Sequence, residues 1–166
     1  YGIIYTVWLK RRSVWNIVIG GLAGSFAVLA GAAAVDPVPQ VVPTVLAIVL
    51  FLWTPPHFWS LAIAYRSDYA AAGVPMLPVA KGEAFAARAI FLNTVLLVSV
   101  SLVPLVFSSG WIYLAGAVTG GALFLTYSWR LARNPGRRTA MACFHSSLAQ
   151  LTLLLAAAMI ESVLRI

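Results

Sequence analysis

Residues 41–65 read VVPTVLAIVLFLWTPPHFWSLAIAY: twenty-five positions with no Asp, Glu, Lys or Arg, two adjacent prolines, and one histidine near the middle. A hydrocarbon core about 30 Å thick is crossed by about 20 helical residues. The stretch is long enough to do so, and its apolar run is continuous rather than alternating, which predicts a transmembrane helix and not a barrel strand. The rest of the chain repeats the pattern. Uncharged stretches at 14–35, 89–107, 111–129 and 141–160 are of similar length, so five complete spans are predicted. With 62% of its 166 residues hydrophobic and 9% charged, against about a quarter charged in soluble domains, the composition excludes a water-solvated fold. The expected class is an all-α polytopic transmembrane bundle forming one domain over 1–166.

The connections carry the charge. Lys10, Arg11 and Arg12 precede the first span, Arg66, Lys81 and Arg88 follow the second, and Arg130, Arg133, Arg137 and Arg138 follow the fourth; only Arg165 falls at the opposite face. Ten of eleven cations in alternate loops predict that those loops are cytoplasmic. The net charge of +7 is thereby read as topology and bilayer contact, with no nucleic-acid partner expected. The single Cys143 excludes an internal disulfide framework and offers no metal-binding pair. The opening YGIIYTVW reads as the exit end of an earlier helix, so the chain is expected to continue a longer protein.

Two segments invite chemistry. Residues 66–88, RSDYAAAGVPMLPVAKGEAFAAR, form the longest expected loop and hold Asp68 and Glu83 beside Arg66 and Lys81. A carboxylate flanked by cations suits a magnesium diphosphate, because Mg²⁺ takes one or two carboxylates plus phosphate oxygens while Arg and Lys neutralise the rest. An ordinary solvated loop with one ion pair is the alternative. In the second span, Pro55 and Pro56 delete two backbone donors and are expected to kink or open the helix. His57 follows at membrane depth, where an ionisable group usually faces a bundle interior. On a regular helix His57, Leu61, Ala64 and Asp68 share one face, with His57 about 16 Å deeper. That describes an elongated cavity with a polar floor and an acidic mouth, flanked by Trp53 and Trp59; a histidine bonded to a neighbouring helix is the competing account.

Other features read as structure. Gly20 and Gly24, with Ala23 and Ala27, form a small-residue packing face. Trp111, Tyr113, Tyr127 and Trp129 mark an aromatic belt. Cys143 and His145 read as packing residues, and Arg133, Arg137 and Arg138 as a topology signal with anionic lipid as second reading.

LKRRSVWNIVIGG at 9–21, PPHFWSLA at 55–62 and above all YRSDYAAAGVPMLPVAKGE at 65–83 resemble the protoheme IX farnesyltransferase (heme O synthase) family, a branch of the UbiA-type intramembrane prenyltransferases. The resemblance implies a nine-helix fold of which this chain carries the C-terminal part, from the end of helix four. It implies transfer of a farnesyl group from farnesyl diphosphate to a vinyl group of protoheme IX in a bacterial inner membrane, with Mg²⁺ as cofactor. It assigns Asp68 to metal-bound diphosphate and Arg66 and Lys81 to diphosphate, with Lys10, Arg11 and Arg12 contributing, and leaves His57, Trp53 and Trp59 to heme. A heme A synthase or oxidase-assembly protein is the implied protein partner. Two departures stand out. Ala72 replaces the second acid that other branches carry, and the first Asp-rich motif is expected upstream of Tyr1, so the chain alone is not expected to be active. A related prenyltransferase acting on a quinone precursor or chlorophyll-like acceptor, and a transporter or assembly subunit, are the rival readings.

Overall fold

The structure, a computed structural model, describes residues 12–38, 40–107 and 110–164. Lys10, Arg11, the expected helix remnant at 1–8 and Arg165 lie outside them. Eight helices follow in order: α1 (Asn16–Val35), α2 (Val41–Ala64), α3 (Arg66–Ala71), α4 (Leu77–Lys81), α5 (Glu83–Ser101), α6 (Pro104–Phe107), α7 (Trp111–Arg133) and α8 (Arg137–Leu164). Among the described residues there is no strand. Four segments are long and apolar enough to cross a bilayer: α1, α2, α5 continued through α6, and α8. The fifth predicted span, α7, has 23 residues and so reaches about 35 Å, but its Gly, Thr and Ser content dilutes its hydropathy.

α2 packs against α1, α5 and α8, and α7 packs against both α5 and α8. The four helices α2, α5, α7 and α8 therefore close a ring, and α1 lies outside it on α2. The seams are made by glycine. A Cβ on Gly116 would strike Ala157 Cβ and come within 2.8 Å of the Leu153 carbonyl oxygen, and one on Gly120 would meet Gln150 Cα at 3.0 Å, so GAVTG at 116–120 sets the α7–α8 approach. Of the small-residue face expected on α1, Gly24 meets the Leu50 side chain of α2, while Ala23 and Ala27 are exposed; the buried α1 positions are Asn16, Gly21, against Thr54, and Ser25.

Several boundaries move, each for a local reason. The expected loop 66–88 is mostly helical, with turns only where Gly73 (φ 65°) and Gly82 (φ 86°) take backbone that side-chain-bearing residues rarely adopt. α5 starts at Glu83 rather than 89, because EAFAAR is helix-forming and sets an acid in the first turn, where the helix dipole favours it. The third span breaks at Leu102 and Val103, since Pro104 cannot donate and disfavours helix in the residue before it. Tyr113 is not in the aromatic belt: it is 1% exposed, and its hydroxyl donates to the Ser101 carbonyl at 2.8 Å, satisfying the frayed end of α5. Cys143 is core, whereas His145 is exposed.

α2 runs unbroken through Pro55 and Pro56. Pro56 cannot donate to the Leu52 carbonyl, and the side-chain amide of Asn93 on α5 donates to that oxygen instead, at 2.9 Å. A neighbouring helix thus supplies the bond the proline removes, which keeps the helix closed at membrane depth.

Candidate active site

α2 ends at Ala64, and Tyr65 (φ −119°, ψ 34°) separates it from α3. The single helix face expected to run from His57 to Asp68 is therefore interrupted, and the 16 Å extrapolation along it does not hold. The break turns the start of α3 into the edge of a cleft of about 610 Å³ lined by Ile63, Arg66, Ser67, Val79, Glu83 and Arg137. Arg66 is pinned there: its Nε donates to the Pro78 carbonyl at 3.1 Å, and its guanidinium lies 3.8 Å from the Glu83 carboxylate. Arg137, the first residue of α8, holds its guanidinium 5.4 Å over the Tyr65 ring. The sequence offers Arg137 as a topology signal or an anionic-lipid contact, because nothing local in RRTAM signals that α8 starts beside α3. Lys81 ends α4 in an exposed position outside the cleft lining, and Arg12 is exposed ahead of α1.

The chain has four acids, and three are committed. Asp36 accepts the Val38 N–H (2.9 Å) and the Gln40 amide (2.7 Å), which hold its carboxyl below the usual range, the backbone bond contributing most. Glu83 faces Arg66. Glu161 accepts the N–H groups of Ile112 (3.1 Å) and Tyr113 (3.3 Å), so a carboxylate from α8 caps the start of α7. Asp68 is exposed, and among the described residues its carboxylate accepts only the Ser67 hydroxyl, at 3.3 Å. It therefore keeps most of its lone pairs for a ligand, one residue from the cleft wall. Beside it, burial raises the Tyr69 hydroxyl above its usual value, keeping it neutral. No group of three or more His, Cys, Asp or Glu is gathered among the described residues. One free carboxylate beside arginines fits Mg²⁺ only in the mode where phosphate oxygens complete the shell.

At membrane depth the arrangement is different. His57 is 7% exposed, stacked between Trp53 (centroids 4.0 Å apart) and Phe144 (4.4 Å). Its Nδ1 lies 2.7 Å from the Ser147 hydroxyl of α8, and the Trp53 indole donates to the Ser147 carbonyl at 2.8 Å. The Ser147 hydroxyl has one proton, and the Phe144 carbonyl is also 2.7 Å from it. With the Ser147 proton on the Phe144 carbonyl, Nδ1 carries the imidazole hydrogen and Nε2 keeps its lone pair; with that proton on Nδ1, the roles of the two ring nitrogens exchange. Trp53 and His57 are brought together, but Trp59 is not with them. It lines an apolar cleft of about 380 Å³ between α1, α2 and α5, and its indole N–H has no partner among the described residues.

The UbiA prenyltransferase family model matches residues 1–156. Over 164 residues the chain is 59% identical to "Protoheme IX farnesyltransferase 2" of Paramagnetospirillum magneticum, covering 99% of this chain and 57% of that protein. It is 54% identical over 155 residues to "Protoheme IX farnesyltransferase 1" of the same organism (93% and 55% covered). It is 46% identical over 166 residues to "Protoheme IX farnesyltransferase" of Thioalkalivibrio sulfidiphilus (99% and 55%). The chain spans about half the length of the curated relatives it matches. No solved structure matches it.

Proposed function

As the chain belongs to the UbiA prenyltransferase family, we propose that it supplies the diphosphate-side and acceptor-side residues of an enzyme that transfers a farnesyl group from farnesyl diphosphate to a vinyl group of protoheme IX, giving heme O. The names of its relatives support the two substrates. The observation that carries the site is the uncommitted carboxylate of Asp68 next to the Arg66–Arg137 cleft.

In this reading Asp68 would hold Mg²⁺ together with the diphosphate, Arg66 and Arg137 would supply positive charge at the cleft, and Lys81, Lys10, Arg11 and Arg12 would add to it from the same face. When bound, Mg²⁺ supplies neutralisation of the charge that builds on the leaving group. The arginines act in the same direction: they favour the departing diphosphate, which takes the electron pair of the C1–O bond and leaves an allylic cation. The vinyl π electrons of protoheme form the new C–C bond to C1. Water then adds at the porphyrin-side carbon and loses a proton, giving the hydroxyethyl carbon. Apolar walls keep water from the allylic cation before the vinyl group reaches it. His57, with Trp53 stacked on it, is the acceptor-side residue, its Nε2 being the ring nitrogen that Ser147 leaves for iron or for a hydrogen-bonding heme substituent. Trp59 belongs with the apolar cleft rather than with heme.

The charged loops face the cytoplasm of a bacterial inner membrane in this account, and impermeant-thiol labelling of Ser67→Cys from outside intact cells is expected to fail. The activity test is conversion of protoheme to heme O by the full-length enzyme with farnesyl diphosphate and Mg²⁺. Loss in Asp68→Asn with retained heme binding supports the assignment, and turnover within a few-fold of wild type contradicts it.

A further inference from the structure

A second basic cleft lies away from the one just described and shares no residue with it. It has a volume of about 490 Å³ and lies between α5 and α7, lined by Arg88, Phe91, Leu92, Trp129, Ala132 and Arg133. The two arginines come from different helices and sit at its rim. Among the described residues neither lies within ion-pair distance of an acid; the one ion pair there joins Arg66 and Glu83. Arg133 is held 5.3 Å over the Trp129 ring, which itself meets Phe91 at 5.1 Å, so the cationic head stands on an aromatic floor. Below the rim, Leu92 (67% exposed) is shared with the apolar cleft that Trp59 lines, where Leu96 (52% exposed) follows it one turn further along α5.

We propose that this groove is a binding site for an anionic phospholipid, with its phosphate between Arg88 and Arg133 and an acyl chain laid along Phe91, Leu92 and Leu96. Charge decides the headgroup: two arginines without an acid partner at a membrane surface are completed by a phosphodiester, which accepts guanidinium hydrogen bonds in pairs. The apolar wall decides the source. A free phosphate would leave Leu92, Leu96 and Trp129 uncovered, whereas a lipid covers both halves of the groove, as in other basic pockets between transmembrane helices. The site is independent of the transfer reaction, since none of its residues is assigned to diphosphate or heme.

The test is thermal unfolding of the purified full chain in neutral detergent, supplemented in turn with dioleoyl phosphatidylglycerol, dioleoyl phosphatidylcholine and glycerophosphoglycerol. Phosphatidylglycerol is expected to raise Tm, with the zwitterionic lipid and the chain-free headgroup giving little. R88Q/R133Q is expected to lose at least half of that rise, each arginine being worth about fivefold in affinity. Should the double variant not fold by circular dichroism, R88Q and R133Q singly are read against the same criterion. Quenching by brominated phosphatidylglycerol, compared between wild type and Trp129→Phe, locates the chain: the lost emission should be the most strongly quenched. A rise of equal size in the arginine variants, an equal rise with phosphatidylcholine or the headgroup, or quenching unchanged by Trp129→Phe overturns the proposal.

Discussion

The middle of α2 and its C-terminal mouth lie in one stretch of chain and treat polar groups in opposite ways. Around His57 nearly every donor and acceptor is used by the fold. Trp53 and His57 are tied to Ser147, the Ser60 hydroxyl bonds to the His57 carbonyl, and Asn93 fills the bond that Pro56 removes. Around Asp68 the pairing is looser: its carboxylate accepts only the Ser67 hydroxyl among the described residues, while Arg66 is held by Pro78 and Glu83 and Arg137 lies over Tyr65. The difference follows from the medium. An unpaired polar group costs several kcal/mol in hydrocarbon and almost nothing at a wet surface. What remains unused among the described residues differs in each place: one imidazole nitrogen, the Trp59 indole N–H and the Gln150 carboxamide at depth, and the Asp68 carboxylate at the mouth.

If the two regions divide scaffold from chemistry in this way, substitutions should separate their effects. The largest effect is expected at the mouth. Asp68→Asn should lower turnover at least 100-fold, about 2.7 kcal/mol in the barrier, with helix content by circular dichroism and Tm essentially unchanged. A matching loss of Tm would mean that Asp68 is structural. Next comes the scaffold. Gly116→Leu drives a side chain into Ala157 and the Leu153 carbonyl and should cost about 1–3 kcal/mol, read as a lower Tm in detergent. Turnover per folded molecule should change little.

Ser147→Ala should cost about 1 kcal/mol of stability by removing the hydrogen-bond partner of His57 Nδ1. It also frees the ring to take either tautomer, so heme affinity should fall more than diphosphate affinity. The smallest effect belongs to Asp36, in the turn between α1 and α2. Its pKa is lowered in the folded chain, so its contribution is present above the unfolded value and lost as pH falls through the folded one. Tm of wild type and Asp36→Asn should differ slightly at pH 5–7 and converge as pH falls below the ordinary carboxylate range.

The helices were legible in the sequence because length and the absence of charge are sufficient evidence for a span. Their ends were less so. Glu83 and Arg137 both extend helices into what composition reads as loop, and those extensions help line the cleft. Asp68 and Arg66 were found from a local motif. Arg137 could not be, because its partner Tyr65 is seventy-two residues away and only the closing of α8 onto α2 joins them. The prolines misled for a related reason: the deficit they create is visible in PPHFW, but its remedy, Asn93, lies on another helix. Gly116 and Gly120 carried the same GxxxG signal as Gly20 and Gly24, and sequence alone does not tell that the first pair meets backbone of α8 while Gly24 meets only the Leu50 side chain of α2.

The central claim is that His57 serves the acceptor and Asp68 the diphosphate. Heme and farnesyl diphosphate are to be titrated separately into the purified full-length enzyme carrying His57→Ala or Asp68→Asn, heme by its Soret absorbance and the diphosphate by calorimetry with Mg²⁺. The account predicts a crossed result, with His57→Ala weakening heme at least tenfold and sparing the diphosphate, and Asp68→Asn doing the reverse. Equal losses of both ligands in His57→Ala, together with a lower Tm, would make His57 a strut between α2 and α8 and contradict it.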